Sequence, residues 1–157
     1  MTYSWLKFLH IASVLALLGT HGASMTVLYA IRRERDRAKI LSLIQVSGQS
    51  LIPMYVSFGA VILFGVLLAF RLHYWGQTWL WLSIVLLLAT AGLMTATAKP
   101  YFARVKEACQ MRPSGVPRIS DEELGEVLGS SKAHLITAIG VIGLLAILYL
   151  MVFKPRF

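Results

Sequence analysis

Two histidines in the first apolar stretch of the sequence are the residues best suited to chemistry. His10 lies in "WLKFLHIAS" and His21 lies in "LLGTHGASM", within a run that is otherwise almost wholly apolar. An ionisable side chain in such a run marks a functional site by default, and imidazole binds metals readily. Their offset of eleven residues corresponds to about 16 Å of helical rise and a net rotation of about 20°. We therefore predict that both imidazoles lie on one face of a helix, directed toward its neighbours.

Haem b is the cofactor that this pattern favours. Histidines on membrane helices ligate haem iron, and a second histidine or a methionine commonly occupies the opposite axial position. His10 is predicted to be one iron ligand, and the structural alternative is a histidine that only forms a hydrogen bond between helices. His73 or Met151 is predicted to be the other iron ligand, because both fall near the same membrane edge as His10. His21 is expected either to approach the cofactor plane or to donate to a hydroxyl group on a neighbouring helix.

Small and basic residues complete the predicted cofactor site. Gly19 and Gly22 flank His21, and glycines let a flat macrocycle or a second helix approach closely. Four cations lie at the same membrane edge as His10, where they could pair with haem propionates: Lys7, Arg71, Lys154 and Arg156. In the structural alternative, the glycines serve helix packing and the cations anchor the helices to lipid headgroups.

The composition of the chain places these residues in a membrane. Of the 157 residues, 57% are hydrophobic and 14% are charged, and the mean hydropathy is +0.71, which is too apolar for a soluble globular domain. An apolar helix needs about 20 residues to cross the hydrocarbon core. Four stretches meet that length: 5–31, 51–72, 77–98 and 133–153. We predict an all-α, integral membrane four-helix bundle, a single transmembrane domain over 1–157 with loops at 32–50 and 99–132.

The distribution of charge predicts the orientation of the chain. Eleven of the 15 Lys and Arg residues lie in the two loops, and cytoplasmic loops are the ones enriched in basic residues. We therefore expect both termini on the non-cytoplasmic side of a membrane, the bacterial inner membrane. All four Trp residues fall at the same outer ends, where indoles prefer the interface. The seven acids share the basic loops, so the net charge of +8 indicates contact with the lipid bilayer and no nucleic-acid partner.

The longer loop contains a predicted amphipathic helix and no recognisable catalytic pattern. The third span is expected to continue to about Cys109, followed by a turn at "RPSGVP" and a short cytoplasmic helix. Ser120, with Glu123 three residues later, predicts a capping box at the start of that helix. Pro53 cannot donate its backbone nitrogen, so a kink is expected near the start of the second span. Enzymatic activity is left open, because the loop has no nucleophile arrangement, phosphate loop or carboxylate pair.

The segment "WLKFLHIASVLALLG" resembles the opening L-K-x-L-H pattern of a superfamily of small four-helix membrane proteins. The superfamily includes the copper-resistance D family, the J-type membrane protoporphyrinogen oxidases and a family of predicted integral membrane proteins of unknown function. The terminal "LYLMVFKP" resembles the end of their last helix. The resemblance implies a four-helix bundle, with His10 as a haem or metal ligand and Met151, Lys154 and Pro155 in the closing motif. Features of the oxidases are missing, namely a tryptophan-rich continuation of helix 1 and an Arg/Asn/Glu cluster opening the last helix.

Three functions from different classes remain open at this point. The first is a haem b protein for electron transfer or haem handling, with a membrane redox partner or a second copy of the chain as its partner. The second is copper handling by His10 with Met151 and either Met25 or Met54, because imidazole and thioether ligands suit Cu(I). The third is a non-catalytic accessory subunit of a membrane complex. His10, the glycines and the outer cations favour the first, and the absence of an M-x-x-M cluster weighs against the second.

Overall fold

A computed structural model describes residues 2–156 of the protein, and its regular elements are helices. They are α1 (Tyr3–Arg33), α2 (Arg37–Gln49), α3 (Leu51–Arg71), α4 (Thr78–Ala108), α5 (Asp121–Gly129) and α6 (Lys132–Phe153), with a one-turn 3₁₀ helix at Tyr74–Gly76. Within these residues, four helical stretches are long and apolar enough to cross a membrane: Tyr3–Arg33, Arg37–Arg71, Thr78–Ala108 and Asp121–Phe153. The all-α class and the four apolar spans are thus confirmed. The predicted domain limits, 1 and 157, lie outside the described residues.

The long helices associate as two antiparallel pairs. Helix α1 packs mainly against α3, and α4 packs mainly against α6. We call the end that holds Tyr3, Tyr74–Gly76 and Phe153 the terminus end, and the opposite end, which holds α5, the α5 end. Large apolar side chains such as Leu15 and Leu145 are more than half exposed along the spans. Such a surface suits lipid as the solvent, because lipid tails are as apolar as these side chains.

Two buried clusters lie at opposite ends of the helix pairs. At the terminus end, Ala69, Trp79 and Leu80 are buried, and Leu150 and Met151 pack against them. At the α5 end, a larger cluster joins α1, α2, α4, α5 and α6 through Val27, Leu28, Ile31, Ile40, Tyr101, Val105, Ala108, Cys109, Leu124, Leu128, Ala133 and Ile136. Both histidines of α1 lie between the two clusters along the helix axis.

The predicted loop 32–50 is largely helical, which corrects the sequence-based boundary. Asp36 caps α2 by accepting hydrogen bonds from the backbone nitrogens of Ala38 and Lys39, at 2.9 and 3.4 Å. The buried Ile40 then anchors the helix in the α5-end cluster. The chain breaks between α2 and α3 at Ser50, three residues before Pro53, where a kink was predicted. Between Lys39 and the end of the predicted loop, polar side chains occur at only five positions, too few to exclude a helix: Ser42, Gln45, Ser47, Gln49 and Ser50.

The predicted capping box, turn and short helix of the 99–132 segment are present. The Ser120 hydroxyl accepts from the Glu123 nitrogen at 3.2 Å, and the Ser120 nitrogen donates to the Glu123 carboxylate at 2.9 Å, which confirms the capping box. The preceding turn is a short hairpin, residues 110–118. It is closed by hydrogen bonds from the Arg112 nitrogen to the Val116 carbonyl at 2.8 Å and from the Arg118 nitrogen to the Gln110 carbonyl at 3.1 Å.

A buried arginine, Arg37, links three segments of the chain at the α5 end. Arg37, at the start of α2, donates to the carbonyls of Ala108 and Ile119 at 2.6 and 2.9 Å, and to the Asp121 carboxylate at 2.7 Å. One guanidinium therefore joins the end of α4, the connecting segment and the start of α5. Burial raises the pKa of the neighbouring Cys109 thiol, and the Arg37 charge partly opposes that rise. From sequence, Arg37 was counted only among the basic residues of a loop.

Candidate functional site

His10 makes a hydrogen bond that defines the state of its ring. Its Nδ1 lies 3.1 Å from the carbonyl oxygen of Val61 on α3. A carbonyl can only accept, so Nδ1 must carry the proton. In the neutral ring, Nε2 then keeps its lone pair available for a metal, as in histidine ligands whose other nitrogen is oriented by a backbone carbonyl.

A glycine on α3 makes room for the His10 ring. A Cβ atom at Gly65 would lie 3.2 Å from Cε1 and 3.5 Å from Nδ1 of His10. The first distance is tighter than an ordinary van der Waals contact, so a larger residue would displace the imidazole from Val61. Gly65 belongs to "FGVLL", and no pattern within α3 distinguishes it from the exposed Gly59 on the same helix.

His21 meets a second glycine, on a different helix. A Cβ atom at Gly140 of α6 would lie 2.9 Å from Nε2 of His21 and 3.6 Å from both Sδ and Cε of Met94. An imidazole nitrogen and a thioether sulfur therefore converge on one point of α6. The prediction that His21 points toward a neighbouring helix is confirmed. Among residues 2–156, no hydroxyl group forms a hydrogen bond with its ring, so the other expected contact, with a cofactor plane, stays a prediction.

The glycines beside His21 make no close contact with a second helix, which was one of the two roles expected of them. Gly19 and Gly22 are exposed, and Cβ atoms built there would meet no atom within 4 Å. Close approach is provided instead by Gly65 and Gly140, on the helices that face α1. The sequence could not separate these glycines, because the pairing of helices decides which of them face a neighbour.

The contact between His21 and Gly140 relates the depths of α1 and α6. His10 lies eleven residues from His21 toward the terminus end, and Met151 lies eleven residues from Gly140 toward the same end. Each offset corresponds to about 16 Å of rise and about 20° of rotation. For straight antiparallel helices, Met151 is therefore level with His10 and on the α1-facing side of α6. Met151 is half-buried and packs against the terminus-end cluster.

His73 lies farther from His10 along the axis. It is exposed in the turn after α3, in a left-handed conformation with φ 55° and ψ 38°. It follows Gly65, the residue beneath His10, by eight positions, which corresponds to about 12 Å along a helix. Of the two predicted partners of His10, Met151 is thus the better matched in depth.

The predicted propionate-binding cations all lie at the terminus end, where aromatic rings engage two of them. Lys154 ends α6 in a left-handed conformation, and its Nζ lies 4.9 Å from the Tyr74 ring centre and 5.7 Å from that of Trp79. It also donates to the Tyr74 hydroxyl at 3.2 Å. The Nζ of Lys7 lies 5.9 Å from the ring centre of Tyr3. Arg71 and Arg156 are exposed, at the end of α3 and beyond α6.

His134 belongs to a separate polar group at the α5 end. The hydroxyl of Tyr29 donates to Thr137 at 3.1 Å and lies 3.4 Å from Nδ1 of His134, while Arg32 lies 3.4 Å from Nε2. Arg32 also donates to the Ser130 carbonyl at 2.5 Å. These contacts join α1 to the start of α6, and His134 lies at the opposite end of the spans from His10.

The metal-ligating groups of the described chain are few. Within residues 2–156, no three His, Cys, Asp or Glu side chains lie close enough together to hold a metal ion. Haem iron needs at most two protein ligands, and imidazole and thioether are both common among them. Met25 and Met54 are half-buried. Met25 follows His21 by one helical turn on α1, whereas Met54 lies near the start of α3.

The sequence was compared with known protein families, curated proteins and solved structures. No curated protein and no solved structure matches the chain. Residues 4–155 match a family described as "Predicted integral membrane protein (DUF2269)". This match extends from the start of α1 to the residue after Lys154 and so includes both histidine contacts and all four apolar spans. The chain therefore belongs to this family of predicted integral membrane proteins.

Proposed function

We propose that this protein binds one haem b within the membrane and serves electron transfer or haem handling, with His10 as an axial ligand. The hydrogen bond from His10 Nδ1 to the Val61 carbonyl carries the proposal. It leaves Nε2 as the nitrogen able to bind iron, and it gives the ligand an orienting partner of the kind that metal-bound histidines have.

The surrounding residues fit such a cofactor in type. Met151 supplies a thioether at the depth of His10, and His/Met ligation raises the reduction potential of haem. Lys7, Arg71 and Lys154 supply positive charge at the terminus end for propionates, although Lys154 would have to leave its aromatic contacts. The apolar side chains around His10 would keep water from the iron of a bound haem. The haem would supply one-electron chemistry, while the chain binds it and fixes its orientation.

The test is an absorption spectrum of the purified full-length protein, with and without added haem. We expect a Soret band that His10→Ala abolishes or shifts strongly, and that added imidazole restores in His10→Gly. Met151→Leu should change the spin state of the haem iron and reduce the affinity for haem about tenfold or more. His73→Ala should have little effect on either property. His134→Ala is the matched control, because its side chain belongs to the α5-end group.

Wild-type protein that remains colourless after haem addition would contradict the proposal. So would an unchanged Soret band in His10→Ala, provided that the variant inserts and elutes like the wild type. The first result would favour the third function considered from the sequence, a non-catalytic accessory subunit of a membrane complex.

Copper handling is a second candidate, because His21 and Met94 converge on Gly140. Imidazole and thioether ligands select Cu(I), and the half-buried Met25 lies one turn from His21. In the same preparations, metal analysis separates the two functions. Copper bound in equimolar amount and lost in Met94→Leu, with no Soret band, would favour the copper site. In this candidate function, His21 and Met94 would be the copper ligands in place of His10.

A further inference from the structure

A groove at the α5 end is lined by three arginines and one acid. We call it the arginine groove. It has a volume of about 440 Å³ and is lined by Arg104, Glu107 and Ala108 from α4, Arg112, Arg118 and Ile119 from the connecting segment, and Val127 from α5. Among residues 2–156, the single ion pair is Arg37–Asp121, so none of the three arginines has a carboxylate partner. The groove therefore carries an excess of positive charge.

The hairpin 110–118 holds two of these arginines on a defined backbone. Its closing hydrogen bonds run between Arg112 and Val116 and between Arg118 and Gln110. Gly115, at φ 77°, supplies the left-handed conformation that the turn requires. The guanidinium of Arg112 also donates weakly to the Arg118 carbonyl, at 3.4 Å. The two side chains are thus held on one element rather than on a freely varying loop.

Apolar side chains accompany the charge. Met111 and Val116 of the hairpin are each 54% exposed, and Ala108, Ile119 and Val127 form an apolar part of the groove wall. Arginines beside exposed apolar side chains are typical of a surface that lies in a membrane interface, where apolar groups enter the bilayer and cations meet phosphates. A site for a small soluble anion would not need the exposed methionine and valine.

The depth of the groove agrees with the position of lipid headgroups. The apolar part of α4 ends near residue 98, and Arg104 follows six residues later, about 9 Å along the helix. The headgroup layer extends about 5–8 Å beyond the hydrocarbon core, and a long arginine side chain can reach back across the remainder. The Arg104 guanidinium can therefore reach lipid phosphates, and Arg112 and Arg118 line the same groove.

We propose that the arginine groove binds the headgroup of an anionic phospholipid, with guanidinium groups on its phosphate and the acyl chains directed along α4. Guanidinium groups pair with phosphate oxygens in a bidentate manner. The negative charge of Glu107 repels the lipid phosphate and so limits the affinity of the groove for the headgroup. This site is at the opposite end from His10 and is independent of any haem.

The test is native mass spectrometry of the full-length protein, titrated with phosphatidylglycerol or phosphatidylcholine in micelles. The groove variant combines Arg104→Gln, Arg112→Gln and Arg118→Gln. The control variant combines Arg33→Gln, Arg35→Gln and Lys39→Gln, which removes the same charge from exposed positions at the same end. We expect the preference for phosphatidylglycerol to fall at least about tenfold in the groove variant and to stay within about twofold in the control.

Glu107→Gln provides the opposite change. Removing the only acid of the groove should raise the preference for phosphatidylglycerol by up to about fivefold, and an exposed surface residue of this kind can be replaced without unfolding the protein. Equal losses in the groove and control variants would overturn the proposal in favour of diffuse charge attraction. Displacement of the lipid by millimolar glycerol phosphate would overturn it in favour of a soluble phosphate ester.

Discussion

At the scale of single residues, each histidine of α1 is matched by a glycine across a helix interface. His10 lies over Gly65 of α3 and His21 lies over Gly140 of α6. In each pair, the imidazole of the histidine occupies the volume that a Cβ atom on the glycine would need. This arrangement explains how an ionisable ring is accommodated between close-packed apolar helices.

The contact at Gly65 predicts a specific response to added volume. Gly65→Val should destabilise the protein by about 1–3 kcal/mol, because the new side chain displaces His10 from the Val61 carbonyl. Gly59→Val, on the same helix, should change stability by less than about 0.5 kcal/mol, since a Cβ atom at Gly59 meets nothing within 4 Å. Unfolding in mixed micelles measures both variants. Equal effects at the two positions would show that His10 does not depend on the space at Gly65.

At the scale of elements, the α5 end depends on the guanidinium of Arg37. Its two carbonyl contacts tie α2 to the end of α4 and to the segment before α5. Its ion pair with Asp121 is the weaker part of this arrangement. Arg37 is 8% exposed, but Asp121 is 90% exposed, and water screens the attraction of such a pair.

Two substitutions separate these contributions. Arg37→Met should cost about 1–3 kcal/mol, because the carbonyls of Ala108 and Ile119 lose a buried donor. Asp121→Asn should cost at most about 1 kcal/mol. The readout is the rate at which a protease cleaves the 109–120 segment in detergent, compared with the wild type. A larger effect from Asp121→Asn than from Arg37→Met would contradict this division.

At the scale of the whole molecule, the two ends differ in chemistry. The terminus end carries all four Trp residues and four cations, whereas the α5 end carries eleven cations and all seven acids. Since basic residues are retained on the cytoplasmic side, we expect the α5 end to be cytoplasmic and both termini to lie outside.

Cysteine labelling in intact cells tests this orientation. Thr2→Cys should react with a membrane-impermeant maleimide from outside, and Ser114→Cys should react only after the membrane is permeabilised. Labelling of wild-type Cys109 is the background control and should be weak, because Cys109 is 1% exposed. Burial also raises the pKa of its thiol, which lowers the fraction present as the reactive thiolate. External labelling of both introduced cysteines would show that the orientation is wrong.

The sequence by itself determined the features that depend on neighbouring residues. The four spans follow from local hydropathy, the start of α5 from the Ser120–Glu123 capping box, and the clustering of Trp at one end from their positions near the ends of the spans. Each of these properties is set within one helical segment or at its boundary, so periodicity and composition are sufficient to recognise it.

The tertiary structure decided which segments meet. The pairing of α1 with α3 put His10 on the Val61 carbonyl and selected Gly65, while the approach of α6 put His21 beside Met94 and selected Gly140. Tertiary packing also buried Arg37 and anchored α2 through Ile40 in the α5-end cluster. A helix sequence indicates which face is polar or small, but not which helix will cover that face. Apolar membrane helices offer many near-equivalent partners, and only the packing of the complete chain resolves them.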